Sequence, residues 1–422
     1  MFEVKEYSKE KVILVTVVLR KDRLKGWDGI DSSDELKELA FASGANVVDG
    51  IICNINDITP NYFIGTGKTE EIHQLVHTHG EDIDAVLFSE NLSSTQQRNL
   101  EEALGIKTID RTQLILDIFA QRAHSNEGKL QVELAQLEYL LPRLSGKGVL
   151  LSRLGGGIGT RGPGEQKLEV DRRNIRKRIN KIKKDLDNVR FRREKLRKDR
   201  SEHSVATVAL IGYTNAGKST LLNNLTQSDV TVSNKLFCTL DPTSRRYALP
   251  NNQKILFVDT VGFIHNLPHN LIEAFKATLE EVQEADLLLH VLDISDPKAN
   301  EQLNAVYEVL RELGAEEKPV VTALNKVDLV DSPYIVERFR NKLNDSTAIS
   351  ALKSVGFEGL ISIIIRRLEL LTGTVEVLIP YSKMNLLNEI YKEGKVIERR
   401  DTGKGVRIKA IVSAHMRSKL KT

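Results

Sequence analysis

Gly212-Tyr213-Thr214-Asn215-Ala216-Gly217-Lys218-Ser219 decides the fold of this 422-residue chain. The stretch follows the apolar run 205–211 and precedes a helical pattern over 220–225, which gives strand, glycine-rich loop and helix. A phosphate-binding loop needs this context, because its backbone N–H groups face the β- and γ-phosphates and the helix N-terminus adds a positive dipole. We expect Lys218 to reach the phosphate oxygens and the Ser219 hydroxyl to bind Mg²⁺.

A second motif follows the predicted strand 254–258 and reads Asp259-Thr260-Val261-Gly262. Asp259 can hold Mg²⁺ through water, and the Gly262 N–H can meet a γ-phosphate. This motif predicts the switch that senses hydrolysis.

The base is predicted from a third motif, Asn325-Lys326-Val327-Asp328, which follows the apolar run 320–324. The Asp328 carboxylate can accept two hydrogen bonds, from the ring N–H and the exocyclic amine of guanine. Adenine offers no such donor pair, so guanine is expected. Ile349-Ser350-Ala351 fits the short loop whose backbone N–H groups reach guanine O6.

Between the first two motifs lies Phe237-Cys238-Thr239-Leu240-Asp241, where Thr239 is the candidate for the mobile threonine that completes the Mg²⁺ shell when a γ-phosphate is bound. We therefore predict Ser219, Thr239 and, through water, Asp259 as the Mg²⁺ site. No catalytic residue is assigned, and Lys218, Thr239 and Gly262 are predicted to contact the transition state. The predicted GTP-binding residues are Gly212, Tyr213, Thr214, Asn215, Ala216, Gly217, Lys218, Ser219, Thr220, Phe237, Cys238, Thr239, Leu240, Asp241, Asp259, Thr260, Val261, Gly262, Asn325, Lys326, Val327, Asp328, Ser350, Ala351 and Leu352.

The composition is that of a globular protein, with 41% apolar and 28% charged residues. No apolar run approaches the roughly 20 residues that span a bilayer, and the N-terminus lacks the pattern of a signal peptide. Cys53 and Cys238 have neither metal-site nor disulfide spacing. These features predict a cytoplasmic protein in a reducing compartment.

The predicted fold class is multidomain α/β. Residues 1–111 alternate short apolar runs with helical patterns, as in a small parallel α/β domain. Apolar residues at seven-residue spacing over 112–203 predict two long helices that form an antiparallel coiled coil. A Ras-like P-loop GTPase domain over 204–372 and a small α/β domain over 373–422 complete the chain.

The charge is concentrated on the coiled-coil arm. Residues 143–203 hold 20 Lys and Arg against 8 Asp and Glu, a net +12, whereas the remainder of the chain carries −9. The glycine-rich tip, 145–164, contains no acidic residue. A solvated coiled-coil surface would explain a mixture of positive and negative charges. It would not explain a tip whose charged residues are all positive, so RNA binding is predicted. The predicted contacts are Arg143, Lys147, Arg153 and Arg161.

Gly65-Thr66-Gly67-Lys68-Thr69 looks like the end of a second phosphate-binding loop. The position five before Gly67 is Tyr62 rather than glycine, however. A glycine turn that caps the helix 69–76 is the alternative. An ATP-driven RNA remodeller would depend on this stretch alone.

The combination of a guanine-nucleotide domain with the tip Gly155-Gly156-Gly157-Ile158-Gly159-Thr160-Arg161-Gly162-Pro163-Gly164-Glu165 resembles the HflX-type GTPases. Stretches 237–241 and 259–263 are similar to the switches of that family. The resemblance implies a GTPase that binds the large ribosomal subunit and its rRNA, places its arm near the peptidyl-transferase region and helps to separate stalled or idle 70S ribosomes. An assembly or storage factor that binds without splitting is the alternative. Gln166 stands where the family's tip has threonine.

Two further residues bear on hydrolysis. Phe263 occupies the position of the glutamine that orients water in Ras-like proteins, and a phenyl ring cannot do so. Slow intrinsic hydrolysis and activation by the ribosome are therefore expected. Asn215 resembles the asparagine of GTPases in which K⁺ replaces an arginine finger, so K⁺ is a second candidate cofactor. The protein is expected to be a monomer.

Overall fold

The computed structural model describes most of the chain: residues 9–20, 28–79, 82–144, 163–202, 205–227, 236–237, 243–251, 253–265, 271, 276–371, 373–393, 395–412 and 420. The chain divides into two compact units. The first contains residues 1–187, 233–241 and 266–276, and the second contains 188–232, 242–265 and 277–422.

The first unit contains a four-stranded parallel sheet in the order β2-β1-β3-β4. Eight consecutive residues of β1, Val12 to Leu19, are buried, because helices cover both faces of a parallel sheet. The sheet therefore confirms the predicted N-terminal α/β domain. Its elements are β1 (Lys11–Leu19), α1 (Gly29–Ser43), β2 (Asn46–Ile55), α2 (Thr66–Thr78), β3 (Ala85–Phe88), α3 (Ser94–Leu104) and β4 (Lys107–Ile109).

The stretch that looked like a second phosphate loop begins helix α2. Gly65 is the N-cap of this helix, and the Lys68 ammonium pairs with Glu71 at 2.6 Å, one turn further on. The local structure thus agrees with the glycine turn, with a helix that starts three residues before the predicted residue 69.

Three helices follow the sheet: α4 (Arg111–Arg122), α5 (Asn126–Arg143) and α6 (Pro163–Glu202). The prediction of one long helix from residue 112 is wrong, since Ala123 is extended and the Ser125 side chain caps α5 by accepting from the Gly128 N–H at 2.9 Å. Helix α4 packs against α1 and β3, so it belongs to the α/β domain.

Helices α5 and α6 are joined by two ion pairs. Glu133 contacts Arg178 at 2.6 Å, and Glu138 contacts Lys183 at 2.8 Å. From the first pair to the second, the residue number rises by five on both helices. In an antiparallel pair of helices, it would rise on one helix and fall on the other. The helical region is confirmed, and its antiparallel direction stays a prediction.

The second unit is built on a six-stranded sheet in the order β10-β9-β8-β5-β7-β6, in which only β6 runs antiparallel to its neighbour. The carboxyl ends of β5, β7, β8 and β9 meet at one edge, where ligands of doubly wound sheets bind. The elements are β5 (Ala206–Ile211), α7 (Lys218–Thr226), β6 (Thr243–Ala248), β7 (Lys254–Asp259), α8 (Lys276–Glu284), β8 (Leu287–Asp293), α9 (Ala299–Glu312), β9 (Val320–Asn325), α10 (Pro333–Lys342), β10 (Ser346–Ala348) and α11 (Phe357–Leu371).

The chain ends in a three-stranded antiparallel sheet in the order β11-β13-β12, which confirms the predicted small C-terminal domain. Helix α12 supplies Leu387 and Ile390 to its core. The elements are β11 (Gly373–Ile379), α12 (Met384–Glu393), β12 (Lys395–Thr402) and β13 (Gly405–Val412). Within the described parts of the whole chain, no helix is both long and apolar enough to cross a bilayer.

Candidate nucleotide-binding site

Gly217 closes the loop between β5 and α7 at a position where a side chain does not fit. Its φ is +98°, and a Cβ atom there would lie 2.3 Å from the Asn325 Nδ2. Both the left-handed backbone and the close approach therefore require glycine. The loop therefore packs directly against Asn325, the last residue of the neighbouring strand β9.

Asn325, at the end of β9, joins two loops of the site. Its Nδ2 donates to the Ala216 carbonyl oxygen at 2.7 Å, and its Oδ1 accepts from the Ala351 N–H at 2.8 Å. The side chain is buried, so both bonds form away from water. Asn325 thus sets the spacing between the phosphate loop and the predicted guanine loop.

Lys218 begins α7 and is folded over the phosphate loop. Its buried ammonium group donates to the carbonyl oxygens of Gly212 at 3.0 Å and Tyr213 at 2.7 Å. Gly262 approaches closely from the end of β7, because a Cβ atom there would lie 2.8 Å from Thr214 Cα and 3.1 Å from Lys218 Nζ. The Lys218 ammonium group and the backbone at Gly262 therefore lie next to each other.

The two described Mg²⁺ candidates lie side by side. The Ser219 hydroxyl donates to Asp259 Oδ2 at 2.6 Å, and Asp259 is fully buried at the end of β7. Hydroxyl and carboxylate oxygens are the ligand types that Mg²⁺ prefers, so the pair fits the ion. Thr239, the third candidate, lies outside the described residues.

Phe263 is a core residue, with 1% of its surface exposed. Its N–H donates to the Gly212 carbonyl at 3.1 Å, and its own carbonyl accepts from the Thr214 N–H at 2.8 Å. The Tyr213 hydroxyl also accepts from the His265 N–H at 2.8 Å. The segment after Gly262 is therefore tied to the phosphate loop, and the phenyl ring is buried rather than presented to a water molecule.

Asp328 faces the loop that carries Ser350. The hydrogen bond with Ser350 is the main effect that holds the pKa of the Asp328 carboxyl below its usual range, and the nearby Lys353 charge acts in the same direction. Asp328 is therefore a carboxylate near neutral pH, as recognition of guanine requires.

The amides of the guanine loop are engaged within the protein. The Ser350 N–H donates to the Val355 carbonyl at 3.1 Å, and the Ala351 N–H donates to Asn325. The contact to guanine O6 predicted for these amides would require one of these bonds to be shared or exchanged. Leu352, next along the loop, is 74% exposed.

Asp293 lies beside the predicted base-binding motif, although the sequence motifs did not indicate it. It ends β8 and pairs with the Lys326 ammonium at 2.6 Å, while the Ser295 hydroxyl donates to its Oδ1 at 2.6 Å. An aspartate directly after an apolar strand, at the same sheet edge as Asp259, was the available signal. The backbone of Lys326 lies in the left-handed region, with φ 63°.

Phe237 is a predicted nucleotide contact whose side chain packs within the first unit. Its side chain is buried in the first unit, where its ring packs edge-on against Phe119 of α4 with centroids 4.7 Å apart. The ring is therefore a packing residue of the first unit, and the contact of Phe237 with a nucleotide stays a prediction. The neighbouring candidates Cys238, Leu240 and Asp241 lie outside the described residues.

Of the four predicted RNA contacts, Lys147, Arg153 and Arg161 lie outside the described residues. Arg143 is described, and its guanidinium is engaged by the protein through hydrogen bonds to Gln97, Leu92, Tyr139 and Asp110. The guanidinium is thus engaged within the protein, and the contact of Arg143 with RNA stays a prediction.

Three family models match successive parts of the chain. Residues 31–120 match the N-terminal region of a GTP-binding GTPase, 122–200 match its middle region, and 207–326 match a model described as a 50S ribosome-binding GTPase. The first boundary coincides with the end of α4, about ten residues after the boundary predicted at residue 111.

Relatives extend the match to almost the full length. The GTPase HflX of Caldanaerobacter subterraneus subsp. tengcongensis is 47% identical over 414 residues, which cover 98% of this chain and 94% of the relative. The chain belongs to the HflX family of GTPases. The HflX of Escherichia coli K12 is 42% identical over 361 residues, 85% of this chain and 83% of the relative. The chain is accordingly a GTP-hydrolysing enzyme that binds GTP and GDP and, like P-loop GTPases in general, depends on Mg²⁺.

Among solved structures, a GTP-binding protein from Sulfolobus solfataricus in complex with GDP is 26% identical. It matches 85% of this chain and 98% of its own, with a TM-score of 0.44.

Proposed function

We propose that this HflX-family GTPase binds the large ribosomal subunit through its basic arm and separates stalled or idle 70S ribosomes. The observation that carries the proposal is the net +12 of residues 143–203 on a chain that is otherwise −9. Clustered positive charge binds the phosphates of RNA with little dependence on sequence. The description of the family model over residues 207–326, a 50S ribosome-binding GTPase, supports the same partner.

The nucleotide site performs the hydrolysis with positioned charges. Lys218 withdraws from the carbonyls of its own loop to neutralise the β- and γ-phosphates, and the Gly262 N–H donates to the γ-phosphate. Ser219 and, through water, Asp259 would hold Mg²⁺, with Thr239 as a further ligand, and the bound ion would neutralise charge on the phosphate oxygens. Asp328 selects guanine.

The attacking water is oriented from outside this chain's switch. The side chain of Phe263 is an apolar phenyl ring, so it supplies no polar group. The ring is buried, and the backbone of Phe263 is hydrogen-bonded to the phosphate loop. The ribosome is the source of this positioning in our proposal. GTP hydrolysis would then be slow in free solution and fast on the ribosome, so the enzyme is a ribosome-triggered switch. In our proposal it acts in the cytoplasm and as a monomer.

Energy for subunit separation comes from binding that favours the split ribosome, and hydrolysis resets the factor. Light scattering of 70S ribosomes mixed with the protein tests this step. We expect the particles to dissociate with a non-hydrolysable GTP analogue bound. If the protein binds the 50S subunit but 70S scattering stays constant, it is an assembly or storage factor instead.

Potassium is a second cofactor in our proposal. Asn215 is exposed in the phosphate loop with φ 60°, so that its side chain is open to a ligand. An amide oxygen there suits K⁺ beside the phosphates. Equal ribosome-stimulated GTPase rates in K⁺ and Na⁺ buffers would eliminate this part of the proposal.

A further inference from the structure

The Asp110 carboxylate lies at the centre of a buried polar cluster in the first unit. Its Oδ1 accepts from the Gln113 N–H and from the Tyr139 hydroxyl, both at 2.8 Å, and its Oδ2 accepts from the Leu92 N–H at 3.1 Å. The side chain of Asp110 has no exposed surface. One carboxylate therefore connects the loop before α3, the start of α4 and the last turns of α5.

Arg143, the last residue of α5, completes this cluster. Its guanidinium donates to Asp110 Oδ2 at 3.0 Å, to the Leu92 carbonyl at 2.6 Å, to Gln97 Oε1 at 2.8 Å and to the Tyr139 carbonyl at 3.1 Å. Its central carbon also lies 3.5 Å from the centre of the Tyr139 ring. Only a planar fork of donors makes all of these contacts at once.

The cluster lies at the end of α5, directly before the glycine-rich segment. Leu144 is the last described residue before that segment, which begins at residue 145. Asp110 and Leu92 lie 33 and 51 residues before Arg143 in sequence, so their bonds are tertiary and not part of the helix. The bonds fix the end of α5 to the sheet domain.

We propose that Asp110, Tyr139 and Arg143 form a positioning site that fixes the end of α5 to the sheet domain, and that binding of the large ribosomal subunit depends on this anchor. The proposal rests on the proposed function of the arm. It gives Arg143 a role that differs from that of the other basic residues. Its charge is neutralised within the protein by Asp110, and its effect on RNA binding passes through the position of the end of α5.

A salt titration separates positioning from phosphate contact. Affinity for purified 50S subunits is measured against KCl concentration for the full-length protein with bound GTP analogue. Loss of one phosphate contact lowers the slope of log K against log salt by about 0.7–0.9. Arg153→Gln is the reference for a phosphate contact, and Lys129→Gln, on the exposed part of α5, is the control for simple loss of charge.

We expect Arg143→Lys, Tyr139→Phe and Asp110→Asn each to weaken 50S binding by about tenfold, with the salt slope of the wild type. The lysine variant is decisive because it keeps the charge and loses the fork. Wild-type affinity of Arg143→Lys, combined with a lower slope for Arg143→Gln, would establish a phosphate contact and overturn the proposal. The basal GTPase rate of Asp110→Asn is expected to equal that of the wild type.

Hydrogen exchange of the free protein tests the same site without a ribosome. The amides of residues 140–144 should exchange faster in Asp110→Asn than in the wild type, while those of α2 stay unchanged. Equal exchange at the end of α5 would overturn the proposal. If the wild type itself fails to bind 50S subunits, the proposed function fails, and the exchange result still decides whether the cluster anchors α5.

Discussion

Asn325 shows how single side chains set the geometry of the nucleotide site. Its amide donates to Ala216, 109 residues earlier in the chain, and accepts from Ala351. Because the side chain is buried, loss of either bond leaves a polar group of the backbone without its partner. The phosphate loop and the guanine loop therefore depend on one residue.

Replacement of Asn325 should lower nucleotide affinity through this geometry. We expect Asn325→Ala to weaken GDP binding by about 1–3 kcal/mol, the usual effect of a lost buried hydrogen bond. Asn325→Asp keeps an acceptor for the Ala351 N–H and loses the donor to Ala216, so it isolates the phosphate-loop bond. Calorimetric titration with GDP measures both variants. Wild-type affinity in both would show that the loops hold their spacing without Asn325.

Asp328 is the residue that selects guanine in our proposal. Replacement by asparagine exchanges an acceptor for a donor and should relax the preference for guanine, since xanthine carries an oxygen at the position of the guanine amine. The ratio of GTP to XTP affinity, measured by competition, should fall by at least about tenfold in Asp328→Asn. Unchanged preference would mean that other groups read the base.

His290 lies inside strand β8 and provides a pH test at the scale of an element. Burial, with a smaller contribution from the Lys218 charge, lowers the pKa of His290 to about 3. Its ring is packed against Tyr307 with centroids 6.2 Å apart. The folded protein therefore keeps this histidine neutral at pH values where the unfolded chain protonates it.

The stability of the GTPase unit should fall as the pH drops below about 6.5, because only the unfolded state then binds this proton. At pH 5 the contribution is about 2 kcal/mol. We expect urea unfolding, followed by circular dichroism at pH 7.5 and pH 5, to show a smaller loss for His290→Leu than for the wild type. Equal losses would show that His290 does not set this dependence.

The break between α4 and α5 shows where the sequence reasoning failed. Apolar residues at seven-residue spacing run from Leu116 to Leu144 and predicted one helix. The structure divides this series, because Leu116 is buried in α4 of the sheet domain, whereas the buried face of α5 contains Val132 and Tyr139, which do not belong to the series. The capping signal at Ser125 was present in the sequence, and the apolar spacing concealed it.

Ser125→Ala should destabilise α5 by about 1 kcal/mol, because the first turn loses the acceptor for the Gly128 N–H. Ser125→Asp keeps a capping oxygen and serves as the control. Hydrogen exchange of residues 126–130 measures the change. Identical protection in Ser125→Ala and the wild type would show that the cap is not needed.

At the scale of the whole molecule, local signals predicted the sheets and the order of the nucleotide motifs, since each motif follows an apolar strand. Contacts distant in sequence could not be predicted in this way. Arg143 was expected to contact RNA because of its charge and place in the chain. Its partner Asp110 is 33 residues away, and no local pattern indicates that bond.

The tip of the arm is the part of the molecule expected to meet RNA. Replacement of Arg153 and Arg161 by glutamate should leave nucleotide affinity unchanged, while it weakens 50S binding and reduces its dependence on salt. Filter binding at several salt concentrations, with GDP titration as the control, measures both properties. Wild-type 50S binding of the double variant at physiological salt would contradict the role of the arm.

In our proposal the ribosome completes the hydrolytic site that Phe263 leaves without a polar side chain. The most direct test is the steady-state GTPase rate of the full-length protein with and without purified large ribosomal subunits. We predict strong stimulation by the subunits and a slow rate in their absence. A rate that stays the same when the subunits are added would show that the ribosome does not complete this site.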